Sequence, residues 1–191
     1  EGWQKGRQFL SEVPGSHNVS NALAAIALAR LLQIPNDVIV KGLGSFTGTD
    51  RRFQYKGEVA GVTIVDDYAH HPTEIQATLN AAHNYPHKKL VVCIPAPHLY
   101  PHQASWMSLQ ALSAADAVVL ADIYAARETD TLGISSADIA SCIEKLGTEV
   151  HYFPTFEEIE AFLLKNCSTG DLLITMGAGD VVNHWRTPSR K

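Results

Sequence analysis

From Arg51 onward, the chain alternates between short apolar runs and segments in which apolar residues recur at helical spacing. Apolar runs of strand length predict buried strands, because a strand covered on both faces has no position that must stay polar. The predicted strands are 53–58 with 62–65, 90–94, 117–121, 150–153 and 172–175, and the predicted helices are 72–82, 103–113, 136–146 and 156–166. This alternation predicts an α/β fold: a doubly wound, Rossmann-like domain with a mostly parallel sheet, right-handed crossovers and helices on both faces.

The part of the chain before Arg51 has a different pattern. We interpret 7–13 as a short strand, 18–32 as an alanine-rich helix and 36–43 as a second helix. A segment rich in glycine and threonine, 44–50, follows, and such composition is typical of a domain boundary. We therefore expect a short helical remnant of another domain over 1–48 and the α/β domain over 49–191.

Composition and charge narrow the class of protein. The chain has 191 residues, 46% of them hydrophobic, so it can bury one full core with a small helical appendage. Its net charge of −5 argues against a nucleic-acid partner, because no stripe of lysine and arginine is available to replace counterions. No apolar stretch approaches the roughly 20 residues that span a bilayer, and we expect no signal peptide and no membrane partner. These features predict a cytoplasmic location.

The cysteines indicate neither a disulfide framework nor a metal site. Cys93, Cys142 and Cys167 are odd in number, widely spaced and set in apolar or helical contexts. We expect three buried free thiols and no bound metal.

The densest group of polar residues is DDYAHHPTEI, 66–75, which follows a predicted strand and opens a predicted helix. Ligands collect at the carboxyl ends of strands in open parallel sheets, and helix N-termini offer unpaired N–H groups to anions. The residues expected to carry chemistry here are therefore Asp66, Asp67, Tyr68, His70 and His71. A purely structural alternative is that Asp67 caps the helix and both histidines are solvated.

Three other loops follow predicted strands and should open on the same edge of the sheet. The loop after 90–94 supplies His98, Tyr100 and His102, and the loop after 117–121 supplies Tyr124, Arg127 and Glu128. The loop after 172–175 consists of 177–180. An edge with carboxylates, histidines and an arginine could bind a small zwitterion beside a nucleotide.

A second motif, GSHNVSNALAAIALARLL over 15–32, opens the alanine-rich helix. His17 and Asn21 are four residues apart and share one helical face. The amide of Asn21 has a paired donor and acceptor that could read an adenine edge, and His17 could stack or hydrogen-bond beside it. Alternatively, Asn18 caps the helix and Asn21 is polar surface.

With GTDRRFQ over 48–54 and TMGAGD over 175–180, these motifs resemble the Mur ligase family, in the family's order and over almost the whole chain. The resemblance implies an ATP-dependent amide ligase of peptidoglycan precursor synthesis: a sugar carboxylate attacks the terminal phosphate of ATP, and an amine then attacks the acyl phosphate. Within the family, Tyr68 favours the member that joins L-alanine to UDP-N-acetylmuramate over the related muropeptide ligase, which tends to have phenylalanine there.

The resemblance also implies roles for single residues. His17 and Asn21 match adenine-contacting positions, Asp67 matches the ribose-binding position, and Arg52 matches a hinge arginine that reaches the phosphates. Tyr68 and His70 match positions that line the amino-acid pocket. Without the resemblance, an Arg-Arg pair after a turn favours a solvated ion pair for Arg52.

Members of this family have three domains, and the phosphate-cradling loop lies in the central one. The string G-x-x-x-x-G-K-[ST] does not occur in this sequence, nor does the family's shorter variant. We therefore expect a C-terminal piece that lacks the N-terminal domain and most of the central domain, with the Mg²⁺ ligands outside it and no ligase activity of its own. The alternative is a non-catalytic nucleotide- or amino-acid-binding module, or a degenerate member of the family.

The sequence departs from the family at one loop. Where relatives have a segment like QPHRYSRT, whose second arginine grips the carboxylate of the amino acid, this chain reads APHLYPHQ, with Leu99 and His102 at the arginine positions. An imidazole with an ordinary pKa near 6.5 is mostly neutral at pH 7 and lacks the bidentate fork of arginine. Arg127 is one candidate to compensate, and a changed substrate or a decayed pocket is the alternative.

Overall fold

The structure is a computed structural model, and it describes residues 15–96, 103–122 and 135–177. The chain divides into two compact units, 1–50 and 51–191. We refer to them as the first unit and the second unit.

The first unit contains two helices, α1 (Ser16–Leu31) and α2 (Asn36–Gly44). None of its described residues belongs to the buried hydrophobic core, and large apolar side chains such as Leu23 and Leu31 are 61% and 79% exposed. Two helices of this length cannot bury an apolar stripe by themselves. The strand expected over 7–13 lies outside the described residues.

The second unit contains every strand and helix that was predicted for it, with ends within two residues of the prediction. The strands are β1 (Gln54–Val59), β2 (Val62–Asp67), β3 (Leu90–Pro95), β4 (Ala117–Ala121), β5 (Glu149–Tyr152) and β6 (Leu172–Met176). The helices are α3 (Pro72–His83), α4 (Gln103–Leu112), α5 (Ser136–Glu144) and α6 (Phe156–Asn166).

The strands form one sheet in the order β1-β2-β6-β3-β4-β5. All neighbouring pairs are parallel except β1 and β2, which are antiparallel. This hairpin is a local exception to the expected crossovers. Ala60 and Gly61 have φ angles of 51° and 81°, and a tight two-residue turn between antiparallel strands requires positive φ at both positions. The mostly parallel, doubly wound fold is confirmed.

Helices cover both faces of this sheet. Leu90, Val92 and Ile94 of β3 belong to the core shared with α3, α4 and α5, whereas Val91 and Cys93 belong to a second core shared with α6. Adjacent residues of a strand point to opposite faces, so a continuous apolar run is what a doubly covered strand needs.

The strand order creates a crevice at one edge of the sheet. The chain moves outward from β3 through β4 to β5 and then returns by α6 to β6, which lies between β2 and β3. The carboxyl ends of β2, β6 and β3 are therefore neighbours at a switch in chain direction, which is where open α/β sheets bind ligands.

The three thiols are free, but only one of them is buried as expected. Cys93 is fully buried, and burial raises the pKa of its thiol to about 12, whereas Cys142 and Cys167 are half-buried. The prediction of three buried thiols was thus wrong for two, which lie in helix α5 and directly after α6, where only one side of the chain is covered. Among the described helices, none is long and apolar enough to cross a membrane.

Candidate functional site

Two buried carboxylates end strand β2. Asp66 is 0% exposed and Asp67 is 5% exposed. Asp66 lies opposite Thr175 of β6, and the Thr175 hydroxyl donates to Oδ1 of Asp66 at 2.9 Å. This bond joins the carboxyl ends of two neighbouring parallel strands.

Arg51 completes the environment of Asp66. Its Nε donates to Oδ2 of Asp66 at 3.1 Å, and its Nη2 donates to the carbonyl oxygen of Gly177 at 2.6 Å. The carbonyl oxygen of Arg51 accepts the backbone N–H of Tyr68 at 2.8 Å. Arg51, in the turn before β1, therefore holds the ends of β2 and β6 together, and it pairs with a carboxylate that would be costly to bury alone.

Asp67 is held mainly by backbone groups. Its Oδ2 accepts the N–H of Phe53 and its Oδ1 accepts the N–H of Ala69, both at 2.8 Å. Burial raises the pKa of Asp67, and these two bonds, a side-chain bond from Thr78 and the charge of Arg52 oppose the rise. A carboxylate has about four acceptor sites, so roughly one remains for a ligand hydroxyl.

Arg52 lies between two residues in the left-handed region, since φ is 58° at Arg51 and 47° at Phe53. Such angles cost energy for non-glycine residues and persist where surrounding contacts enforce them. Here the hydrogen bonds of Arg51 and Phe53 to Asp66 and Asp67 enforce them. The result is a turn that presents the Arg52 side chain, half-exposed, at the edge of the sheet.

Tyr68 is 37% exposed and lies among cationic and aromatic groups. The guanidinium carbons of Arg51 and Arg52 lie 4.9 Å and 5.9 Å from its ring centroid. The His70 ring contacts it edge-on, with the centroids 5.2 Å apart. Nδ1 of His70 also lies 3.0 Å from the carbonyl oxygen of Tyr68. The structure thus places Tyr68, His70 and Arg52 in one cluster.

Helix α3 is capped by His71, so the alternative in which Asp67 caps it was wrong. Nδ1 of His71 accepts the N–H of Thr73 at 3.3 Å, and the Glu74 side chain bonds back to the N-cap backbone, which makes a capping box with Pro72 at the first helical position. His71 is therefore a structural cap. The Asp67 carboxylate instead accepts the backbone N–H groups of Phe53 and Ala69, which precede the helix.

Glu74 carries a further charge interaction at this helix end. Burial by itself raises the pKa of its carboxyl, but hydrogen bonds from the backbones of His70 and His71 and the nearby charges of His70 and Arg52 outweigh burial and lower it. Glu74 is therefore ionised in the neutral range.

In the first unit, the structure places His17 and Asn21 on the first two turns of α1, and both are exposed. The N-cap is Gly15, so the alternative that Asn18 caps the helix was wrong; the side-chain Oδ1 of Asn18 instead lies 3.5 Å from Nδ2 of Asn21. Gly15 has φ +104°, and a Cβ there would lie 2.5 Å from the His17 ring. Glycine therefore permits the position of that ring.

Several candidate residues lie outside the described part of the chain: His98, Leu99, Tyr100, His102, Tyr124, Arg127, Glu128 and 178–180. Within the described ranges, no group of three or more His, Cys, Asp or Glu side chains could hold a metal ion.

Sequence reasoning missed the central part of Arg51 and Thr175 in this site, although it expected the loop that begins with Gly177 at the same edge. The sequence feature that could have indicated the role of Arg51 is the pair of doublets Arg51-Arg52 and Asp66-Asp67. Side chains of adjacent residues point in different directions, so the two members of each doublet take different partners. Pairing the first member of one doublet with the first member of the other still required knowledge that the two segments meet.

The family described as Mur ligase, glutamate ligase domain, matches residues 51–179. The UDP-N-acetylmuramate–L-alanine ligase of Agathobacter rectalis is 62% identical over 172 residues, which cover 89% of this chain and 37% of that protein. The ligase of the same name from Caldanaerobacter subterraneus subsp. tengcongensis is 46% identical over 175 residues, covering 91% of this chain and 38% of the relative.

Solved structures agree in fold. The UDP-N-acetylmuramate–alanine ligase MurC from Thermotoga maritima matches with a TM-score of 0.74 and 29% identity, covering 94% of this chain and 39% of that one. A murein peptide ligase from Psychrobacter arcticus matches with a TM-score of 0.58 and 26% identity, covering 85% of this chain and 34% of that one. The chain spans about 37% of the length of the curated relatives it matches. The family model matches residues 51–179, and relatives that are more than 45% identical match most of the chain. The chain therefore belongs to the Mur ligase family.

Proposed function

We propose that this chain is the C-terminal part of an ATP-dependent ligase that adds L-alanine to UDP-N-acetylmuramate in peptidoglycan precursor synthesis. The observation that carries the proposal is the 62% identity over 89% of the chain to a relative of that name. The cluster of Arg52, Tyr68 and His70 at the carboxyl edge of the sheet supports it, because an anionic nucleotide and a zwitterionic amino acid both need charged and polar groups at one edge.

In this proposal, the second unit contributes residues that contact the phosphates, the ribose and the amino acid. Arg52 neutralises phosphate charge, which is the main contribution a protein makes to phosphoryl transfer besides positioning. Asp67 has about one acceptor site left, and it uses this site to accept a single hydrogen bond from a ribose hydroxyl. We assign Tyr68 and His70 to the amino-acid pocket, and we expect His98, His102 and Arg127, which lie outside the described residues, to contribute to it.

The first unit supplies the adenine side. His17 and Asn21 are exposed on one face of α1, as contact with a base requires. Residues 1–48 form the tail of the central, ATP-binding domain, and 49–191 form the amino-acid-binding domain. The exposed apolar side chains of α1 and α2 support this division, because in a complete central domain they would have a core to join.

ATP supplies the phosphoryl group that activates the sugar carboxylate, with Mg²⁺ bound by residues outside this chain. What this chain contributes is orientation and charge. The turn at the edge of the sheet positions Arg52 and Tyr68, and it is held by the bond of the Arg51 side chain to Asp66 and by the bond of the Phe53 N–H to Asp67.

Phosphate release tests the proposal. A full-length ligase that carries this chain should release phosphate only when L-alanine, UDP-N-acetylmuramate, ATP and Mg²⁺ are all present. The isolated chain should fold and release none, because the phosphate loop lies outside it. Turnover by the isolated chain that survives repurification would contradict the proposal that the phosphate loop lies outside it. A full-length protein without turnover would favour a non-catalytic binding module.

A further inference from the structure

Arg52 is flanked by an anionic group and an aromatic ring. Its Nη1 lies 3.6 Å from Oε1 of Glu74, and its guanidinium carbon lies 5.9 Å from the Tyr68 ring centroid. Arg52 and Glu74 have side chains that are 50% and 34% exposed, so their charges interact across the open edge of the sheet. A long arginine side chain at such a place would otherwise sample many rotamers.

Glu74 is itself fixed by contacts that do not involve Arg52. Its Oε2 accepts the backbone N–H groups of His70 and His71 at 3.3 Å and 3.4 Å, and it lies 3.4 Å from Nδ1 of His70. Oε2 is therefore used by the helix cap, while Oε1 faces the arginine. A carboxylate anchored through one oxygen can orient a cation through the other.

Arg52 keeps donors for a ligand. Within the described part of the chain, its guanidinium makes no hydrogen bond, since the contact to Glu74 is longer than one. Nε and Nη2 of Arg52 remain available as a fork for an anion, which is the geometry that arginine uses with phosphate.

We propose that Glu74 is a positioning residue for Arg52: it completes the capping box of α3 and also orients the guanidinium toward the nucleotide phosphates, with the Tyr68 ring on the other side of the guanidinium. This inference rests on the proposed function in one respect, namely that Arg52 contacts the phosphates. It adds that the cap of α3 and the affinity for ATP are coupled through one carboxylate.

The experiment compares Glu74→Gln, Arg52→Ala and the double variant in a full-length ligase that carries this chain. Glutamine can still accept the two backbone N–H groups, so the cap and the fold persist while the charge is removed. The matched control is Glu158→Gln, which removes a carboxylate at the same third helical position of α6, away from any arginine of the cluster. The readouts are KM for ATP, kcat and the thermal midpoint.

We expect Glu74→Gln to raise KM for ATP about two- to fivefold, the range of an exposed ion pair, with kcat and the thermal midpoint close to those of Glu158→Gln. In the Arg52→Ala background, Glu74→Gln should change KM for ATP no further, because two residues that act through one contact are not additive.

The other outcomes separate the two proposals. If Arg52→Ala leaves KM for ATP unchanged, the assignment of Arg52 to the phosphates is wrong, and the inference about Glu74 fails with it. Suppose that Arg52→Ala raises KM for ATP, but Glu74→Gln either leaves it unchanged or raises it equally in the parent and in the Arg52→Ala background. The phosphate role of Arg52 then stands, and the positioning role of Glu74 is overturned. A lower KM in Glu74→Gln also overturns it, since Glu74 would then hold Arg52 away from ATP.

Discussion

Arg51 and Asp66 are fifteen positions apart in the chain, and Nε of Arg51 lies 3.1 Å from Oδ2 of Asp66. The carboxylate side chain is 1% exposed and the arginine side chain is 24% exposed, so this ion pair is largely withdrawn from water. Because Arg51 also binds the carbonyl of Gly177, the pair connects the start of β1 with the ends of β2 and β6. The edge that carries Arg52 and Tyr68 therefore rests on a buried charge pair.

Arg51→Met should lower the free energy of unfolding by about 2–4 kcal/mol, because it leaves the Asp66 carboxylate buried without its cation. Denaturant unfolding of the 191-residue chain measures the change. Adding Asp66→Asn should recover a large part of the loss, since the amide carries no charge and can still bond to Thr175.

Lys56→Met on the exposed face of β1 is the control, and we expect it to stay within about 0.5 kcal/mol of the parent. If Arg51→Met is no worse than this control, the pair with Asp66 does not stabilise the fold, and the edge of the sheet is held by the backbone bonds alone.

A second ion cluster makes stability depend on pH at the other end of the sheet. Glu149 accepts from Nε2 of His151 and from Nζ of Lys89, each at 2.9 Å, and these bonds lower the pKa of its carboxyl. A carboxyl with a lowered pKa in the folded state stabilises the fold above its ordinary pKa, and this contribution disappears as the pH falls through the lowered value.

Relative to the parent, Glu149→Gln should therefore lower the thermal midpoint at pH 7 and leave it nearly unchanged at a pH below the lowered pKa of Glu149. The difference should begin to shrink as the pH falls below about 4.3, the unfolded pKa of glutamate. The loss at pH 7 should be at most about 1 kcal/mol because all three side chains are partly exposed. Glu144→Gln on the exposed end of α5 is the control. A loss that is the same at both pH values would mean that charge is not its cause.

Nucleotide affinity of the isolated chain should be weak. The residues that we propose for the adenine and the ribose are present without the phosphate loop, so we expect a Kd for ATP in the millimolar range, which corresponds to about −4 kcal/mol. Titration calorimetry measures it, and Arg52→Ala should weaken the binding further. A micromolar Kd would reveal a phosphate site that these residues do not account for.

His102 and Leu99 should limit the capture of L-alanine in a full-length ligase, although both lie outside the described residues. The loss of an arginine fork costs roughly 1.5–3 kcal/mol of carboxylate binding, on the scale of a hydrogen bond to a charged group. His102→Arg should lower KM for L-alanine and leave KM for ATP nearly unchanged.

The pH dependence provides the control for this prediction. Near pH 6 an imidazole with an ordinary pKa is more protonated, so the parent and the variant should differ less than at pH 7. If the variant gains nothing at either pH, the carboxylate is held elsewhere, with Arg127 the first candidate, and the proposed role of this loop is wrong.

The sequence predicted the strands and helices of the second unit closely because their patterns are local. The apolar run of β3 reads as a doubly covered strand, and Pro72 marks the first turn of α3. The placement of Tyr68 and His70 after a strand also followed, since the carboxyl ends of parallel strands share one edge.

Only the tertiary structure decided which strands are neighbours, and with them the partners of each polar group. The insertion of β6 between β2 and β3 places Thr175 opposite Asp66, and the left-handed turn at Arg51 directs its guanidinium to the same carboxylate. Periodicity records which face of a segment is covered, but it carries no information on which distant segment covers it. The sequence by itself therefore determined the elements and the polar residues between them, and long-range pairing decided that Asp66 binds Arg51 while Arg52 stays available at the edge.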